Sequence, residues 1–247
     1  MMVTGVSSPA SRIFTQSGIT TGRVTYYLGF DPGGDKAFGW ALAVQEAGTA
    51  LTLMATGCAQ NATLAVGQAL ESVPNGAAVA AAGIDAPLFW TPDGKRTVDA
   101  TIRRVLRARG APSPGGTVQQ LNSLRGACLV QGIAAAMLLR RHDSRILLTE
   151  THPKALLWCL GVARRGYAPS AVSTRDLNTL ISLSTTPRSE HERDAAISCV
   201  AAFALHLRKP GWHDLALTEH GALHLIPGGV SYWMPEGDAA GECPSPS

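Results

Sequence analysis

The chain has 247 residues, of which 45% are hydrophobic and 16% charged, and its formal net charge is +3 at pH 7. This length suits one substantial domain or at most two small ones, and the mild positive charge tolerates a polyanionic partner without demanding one. The five cysteines are scattered without a C-x-x-C pair, which argues against a disulfide scaffold or a zinc site and favours a cytoplasmic protein. No run approaches the roughly 20 apolar residues that span a bilayer, so we expect no membrane span.

Both ends of the chain have the composition of disordered segments. Residues 1–24 are rich in Ser, Thr and Gly and lack the continuous apolar segment of a secretion signal, and residues 234–247 form a short tail rich in Pro, Gly and Ser. We therefore predict a disordered extension and a disordered tail around a single domain over residues 25–233. A hairpin over residues 216–226 is expected near the end of this domain.

The most informative stretch covers residues 26–44, YYLGFDPGGDKAFGWALAV. The apolar run Tyr26–Phe30 predicts a buried strand, which ends on Asp31 before a Pro-Gly-Gly turn. The apolar run Ala37–Val44 then predicts a second strand that pairs with the first as a hairpin. An acid at the mouth of a buried strand is a candidate catalytic residue, although Asp before Pro-Gly is also an ordinary turn former.

Two further apolar runs end on acids in the same way. The run Ala77–Ile84, without polar alternation, predicts a strand buried on both faces that ends at Asp85, and residues 144–149 predict a strand that ends at Glu150. A third strand is expected at Ala50–Ala55. Helices are predicted near residues 64–70, 98–107, 117–141, 153–160, 172–183 and 190–207, the last with a capping box formed by Ser189 and Glu192.

The acids are expected to converge at one edge of the sheet. Strands that end at a common edge would bring Asp31, Asp85 and Glu150 together, and the last helix carries Asp194 in its first two turns. Two like charges about 4 Å apart repel by roughly 4 kcal/mol at an effective dielectric constant near 20, so such a cluster needs protons or cations. Because oxygen ligands favour hard ions, Mg²⁺ or Mn²⁺ is the expected occupant.

Five short motifs follow one another along the chain: GFDPGGDKAFGWALAV, GIDAPL, Arg96-x-x-Asp99-x-x-x-Arg103, Glu150-x-His152-Pro153 and Asp194-Ala195-Ala196. This ordered set resembles the ribonuclease H-like superfamily, whose members include Holliday-junction resolvases. Within it, residues 25–208 are similar to a domain-of-unknown-function family described as predicted ribonuclease H-like nucleases. The resemblance implies an α/β fold with a mixed five-stranded sheet, three antiparallel strands followed by two parallel ones, flanked by helices. It also implies a metal-dependent endo- or exonuclease acting on DNA or RNA.

The resemblance also implies roles for the acids. It makes Asp31 the ligand that bridges two metal ions, with Asp85, Glu150 and Asp194 completing the metal-binding and catalytic set. His191 is a candidate for orienting a ligand or transferring a proton, although an exposed polar residue without such a role is the more ordinary interpretation.

The basic residues that follow Asp85 offer a site for phosphate. Lys95, Arg96 and Arg103 are candidates because cationic side chains, and guanidinium forks above all, match phosphate oxygens. Alternatively, Arg103 belongs to the solvated face of a helix.

Two other functions remain open at this point. An actin- or sugar-kinase-like nucleotide phosphohydrolase also begins with an acid and a Gly-rich hairpin, but about 180 core residues leave no room for the usual second copy of that domain. A catalytically silent binding module would retain the acids without activity. A homodimer is compatible with the sequence, which fixes neither the oligomeric state nor the form of the nucleic acid.

Overall fold

A computed structural model of the chain describes residues 24–33, 37–92, 94–119, 126–163 and 172–236. The predicted extension over residues 1–23 and the tail from residue 237 lie outside these ranges. Met234 and Pro235, predicted to begin the disordered tail, instead belong to a buried strand, Trp233–Pro235. The prediction placed this boundary too early because the strand has only three residues and lies next to a segment of low complexity.

The elements follow one another in an α/β order. The strands are β1 (Thr25–Pro32), β2 (Phe38–Gln45), β3 (Thr52–Ala59), β4 (Val79–Ile84), β5 (Phe89–Trp90), β6 (Leu147–Glu150), β7 (Ser182–Leu183), β8 (Trp212–Asp214), β9 (Leu223–His224) and β10 (Trp233–Pro235). The helices are α1 (Ala62–Glu71), α2 (Thr97–Ala108), α3 (Pro114–Thr117), α4 (Gly126–His142), α5 (Pro153–Cys159), α6 (Thr174–Asn178) and α7 (Glu190–His206), with a 3₁₀ helix at Leu215–Thr218. None of the helices in the described ranges could cross a bilayer.

The central sheet has the order β6-β4-β1-β2-β3-β7. Strands β1, β2 and β3 pair antiparallel, whereas β4 pairs parallel to β1 and β6 pairs parallel to β4. This arrangement confirms the predicted fold class, three antiparallel strands followed by two parallel ones. The sixth strand of this sheet is β7, which pairs parallel to β3 over only two residues. It was not predicted, because it lies in a segment that was expected to be helical.

Three local predictions need correction. Within the segment predicted as one helix over residues 117–141, Thr117 ends the short α3, Val118 is extended, and α4 is described from Gly126 onward, while residues 120–125 lie outside the described ranges. The predicted helix over residues 172–183 is the short α6 followed by β7. The predicted hairpin over residues 216–226 does not form, because β9 pairs with β5 instead, and β8 pairs with β10.

Hydrophobic side chains cover both faces of the sheet. Alternate residues of a strand point to opposite faces, and the two hydrophobic clusters divide accordingly: Tyr27 packs with α7 and α5 residues such as Ala195 and Trp158, while Leu28 packs with α4 residues such as Ala135. Helices on both faces explain why the central strands lack polar alternation.

Helix α7 lies unusually close to the sheet because glycines face it. A Cβ atom added at Gly29, Gly39 or Gly83 would collide with the α7 backbone at Ala195, His191 or Ser198, respectively. The helix contributes small residues to the same contact, and most of its residues are buried. This packing fixes the height and rotation of α7 relative to the ends of β1 and β4.

We predict that Gly29→Ala destabilises the fold by about 2 kcal/mol or more, because the new methyl group forces α7 away from β1. The matched control is Gly67→Ala in α1, where a Cβ atom meets nothing within 4 Å. The control is expected to be stabilising by about 0.5–1 kcal/mol, since alanine has the higher helix propensity. Urea unfolding of both variants measures the difference, and equal stabilities would contradict the close contact.

Candidate functional site

A pocket opens where β1 and β4 end, at the edge of the sheet that α7 approaches. Asp31 lies near the end of β1, Asp85 directly follows β4, and Asp194 lies in the second turn of α7. These three acids, all predicted to be site residues, line the same pocket. The complete lining is Asp31, Pro32, Gly33, Asp85, Ala86, Pro87, Gly116, Thr117, Gln119, Cys128, His152, Lys154, Glu190, His191 and Asp194.

The parallel ladder places Asp85 beside Asp31. The backbone N–H of Asp85 donates to the carbonyl of Phe30 over 2.9 Å, which continues the pairing of β1 and β4 by one step. Parallel strands present their carboxyl ends at one sheet edge, the usual position of ligand sites in open α/β sheets. The convergence of these acids therefore follows from the strand order rather than from any single motif.

His191 contacts the first of these acids directly. Its Nδ1 lies 2.6 Å from Asp31 Oδ2, and this hydrogen bond is the main reason why the pKa of His191 is raised above its usual value. The imidazole side chain is 37% exposed, so it can reach a ligand in the pocket. The structure therefore brings His191, a predicted site residue, to the same place as the three acids.

The pocket carries an excess of negative charge. Burial raises the pKa of Asp194 to about 7, and the nearby Asp31 adds to this effect, while Lys154 and Arg193 oppose it. Burial also raises the pKa of Asp85 well above its usual value, with further contributions from Asp31 and Asp194. Without a cation, some of these carboxyl groups hold protons at neutral pH, and a divalent cation would relieve the repulsion.

Glu150, the fourth predicted ligand, does not line this pocket. It is fully buried, and both of its carboxylate oxygens accept hydrogen bonds from the Arg96 guanidinium, over 2.7 and 2.8 Å. The backbone N–H of Leu88 donates to the same carboxylate over 3.0 Å. Arg96 also donates to both oxygens of Asp99, over 2.7 and 3.1 Å.

Each charged side chain of this ion-pair cluster has a partner of opposite sign, because Asp99 and Glu150 share the Arg96 guanidinium. Among the described residues, Asp99, Glu150 and His152 form the one set of three metal-ligand groups whose atoms lie within 4.8 Å of one another, whereas the pocket acids form a looser set. However, Arg96 already supplies the cation here, and it also lies 4.7 Å from the centroid of the Phe89 ring. We therefore assign this cluster a structural role, since breaking a buried pair leaves an uncompensated charge.

The three residues predicted to bind phosphate lie in three different environments. Arg96 is 2% exposed and is engaged by the two carboxylates, so the structure does not support a role in binding phosphate. Arg103 donates to the carbonyl of Val118 over 3.1 Å, which ties α2 to the end of α3. Lys95 is exposed in the loop before α2 and is not among the residues that line the pocket.

Lys154 is the cationic residue that the sequence interpretation missed. Its Nζ lies 2.9 Å from Glu190 Oε1 and 3.8 Å from Asp194 Oδ2, and its side chain is part of the pocket wall. Pro153 was a usable signal, because proline favours the first turn of a helix. A helix that starts immediately after β6 places Lys154 at the same sheet edge as the strand ends.

The strand order and pairing of the central sheet are those that the resemblance to the ribonuclease H-like superfamily implies. The chain belongs to the family described as "Protein of unknown function (DUF429)", which matches residues 29–202. This range includes all the acids discussed above. No curated protein matches the chain.

Two solved structures of RuvC resemble the chain distantly. The Thermus thermophilus RuvC structure has 17% sequence identity and a TM-score of 0.36, over 74% of this chain and 96% of RuvC. T. thermophilus RuvC in complex with a Holliday junction substrate has 16% identity and the same TM-score and coverage. A similarity this distant adds nothing to what the sheet order already shows.

We predict that Asp194→Asn stabilises the metal-free protein above pH 7 by on the order of 2–4 kcal/mol. The reason is that the unfolded chain releases this proton near pH 4, whereas the folded chain keeps it until about pH 7, so ionisation opposes folding progressively as the pH rises through that window. Asparagine cannot ionise, and the gain should therefore vanish below about pH 4.

Urea unfolding in EDTA between about pH 4 and 8 measures this difference, with Glu46→Gln in an exposed turn as the control. A gain that is independent of pH would contradict the assigned electrostatic cause.

Proposed function

We propose that this protein is a metal-dependent nuclease that hydrolyses phosphodiester bonds in DNA or RNA. The observation that carries the proposal is the convergence of Asp31, Asp85 and Asp194 on one open pocket at the carboxyl edge of the sheet. Their surplus negative charge is the complement of a divalent cation. The ribonuclease H-like fold makes nucleic acid the substrate class that we favour, on the basis of analogy.

The donor set of the pocket fits a hard metal ion. Asp31, Asp85 and Asp194 would hold Mg²⁺ or Mn²⁺, because all three offer only carboxylate oxygens and the pocket lies open to substrate. Such an ion polarises a phosphoryl oxygen and lowers the pKa of an attacking water. Glu150 is left out of the ligand set, because its oxygens are committed to Arg96 and to the backbone of Leu88.

His191 is suited to proton transfer beside these acids. The pKa of its imidazole is raised by Asp31, so it holds a proton more firmly than a free histidine does. It can therefore donate a proton to a leaving oxygen, or it can orient Asp31 through their hydrogen bond. Both roles depend on the hydrogen bond that the structure shows.

The pocket also presents positive charge to a phosphate. Lys154 lines it and lies beside Glu190 and Asp194, and burial lowers its pKa less than these acids raise it. The ammonium group therefore stays charged at neutral pH and can attract an anionic substrate into a site that is otherwise acidic.

We predict that Asp31→Asn and Asp85→Asn each abolish cleavage and reduce Mn²⁺ affinity at least about tenfold, because each removes an anionic oxygen ligand. Calorimetric titration with Mn²⁺ and cleavage of labelled single-stranded, duplex and junction substrates measure the two effects. Glu71→Gln, at the exposed end of α1, is the matched acid-to-amide control and should behave as the wild type.

The outcomes separate the proposed function from its alternatives. Wild-type cleavage that persists in both variants would contradict the assignment. Metal binding without cleavage of any substrate would favour a silent binding module, and phosphate release from ATP in place of cleavage would favour a nucleotide phosphohydrolase.

A further inference from the structure

The end of β6 contributes a cation to the pocket instead of the expected anion. Glu150, the last residue of β6, turns away into the ion pair with Arg96 and is fully buried. Four residues later, in the first turn of α5, Lys154 lines the pocket. The sequence therefore predicts a negative charge at this strand end, whereas the structure places a positive charge there.

Lys154 contacts two carboxylates of the pocket wall. Its Nζ lies 2.9 Å from Glu190 Oε1 and 3.8 Å from Asp194 Oδ2. Glu190 and Asp194 are four residues apart in α7, so their side chains project from one face of the helix. Both carboxylates line the pocket, and together they offer two of the oxygen ligands that an ion would need.

The side of the pocket formed by the ends of β1 and β4 is less fully neutralised by cationic side chains than the α7 side. There Asp31 and Asp85 lie at the ends of adjacent strands, and the cationic partner of Asp31 is the titratable His191 rather than a permanent charge. On the α7 side, Arg193 is a second cation and lies 3.7 Å from Glu190 Oε1 and 3.4 Å from Asp194 Oδ1. The α7 side of the pocket is thus neutralised by side chains, and the strand side is not.

We propose that Lys154 occupies the position of a second cation, so that this pocket binds one divalent metal ion instead of two. The single ion is held on the strand side by Asp31 and Asp85 with Asp194, and the ammonium of Lys154 provides the fixed positive charge on the α7 side. This inference rests on the proposed metal-dependent function and specifies how many ions that function uses. Lys154 acts as a positioning residue for the metal and for the phosphate between the two charges.

The physical reason is the repulsion between an ammonium group and a divalent ion. A second ion bound by Glu190 and Asp194 would lie within a few ångströms of Lys154 Nζ, where the positive charges of the ammonium group and the divalent ion repel each other. Removal of the ammonium charge takes away this repulsion and leaves Glu190 and Asp194 with the longer contacts to Arg193, over 3.7 and 3.4 Å.

The test is the number of Mn²⁺ ions bound per chain, measured by calorimetry and by equilibrium dialysis on the full chain. Wild type should bind one ion. Lys154→Met, which keeps the side-chain length without the charge, should bind a second ion, with a dissociation constant at least about tenfold lower than any second binding seen in the wild type. Lys154→Arg keeps the charge and should bind one ion.

Lys154→Gln provides a second uncharged variant in case the methionine variant does not fold, and it should also bind two ions. Two ions in the wild type would overturn the inference, and so would unchanged stoichiometry and affinity in both uncharged variants, or two ions in Lys154→Arg. Each of these results leaves the proposed function intact. If the wild type binds no Mn²⁺ at millimolar concentration, the proposed function itself fails.

Discussion

The close packing of α7 against the central sheet is the constraint on which the site depends. Three glycines, one in each of β1, β2 and β4, allow the helix backbone to approach the strands where any side chain would block it. Because the contact joins backbone to backbone, it leaves little freedom in the position of the helix. Residues near the start of α7, including His191 and Asp194, are thereby held against the ends of β1 and β4.

One edge of the sheet contains two acidic clusters that are neutralised in different ways. In the first, Arg96 joins Glu150 and Asp99 through charge-assisted hydrogen bonds, and the cluster is closed to solvent. In the second, Asp31, Asp85 and Asp194 face an open pocket and keep more negative charge than the neighbouring side chains offset. An open cluster with surplus negative charge can bind a cation, whereas the carboxylates of the closed cluster are already engaged by Arg96. The acids of the open cluster are therefore the candidate functional residues, and we assign a structural role to the acids of the closed cluster.

The sequence predicted the parts of this picture that depend on local pattern. Apolar runs that end on Asp31 and Asp85 identified the strands and the edge at which they meet, and the capping residue Ser189 correctly marked the start of α7. The direction of the Glu150 side chain could not be predicted, because it is set by Arg96, a partner 54 residues away. The pairing of β9 with β5 escaped prediction for the same reason, since it joins short segments distant in the chain.

The most direct test of the central claim is a crystal structure of the protein grown with Mn²⁺, with the ion located by its anomalous scattering. The account predicts density in the pocket, with carboxylate oxygens of Asp31, Asp85 and Asp194 at about 2.1 Å from the metal. It also predicts that Glu150 remains paired with Arg96. Metal bound instead by Asp99, Glu150 and His152, or a pocket without metal at saturating Mn²⁺, would contradict it.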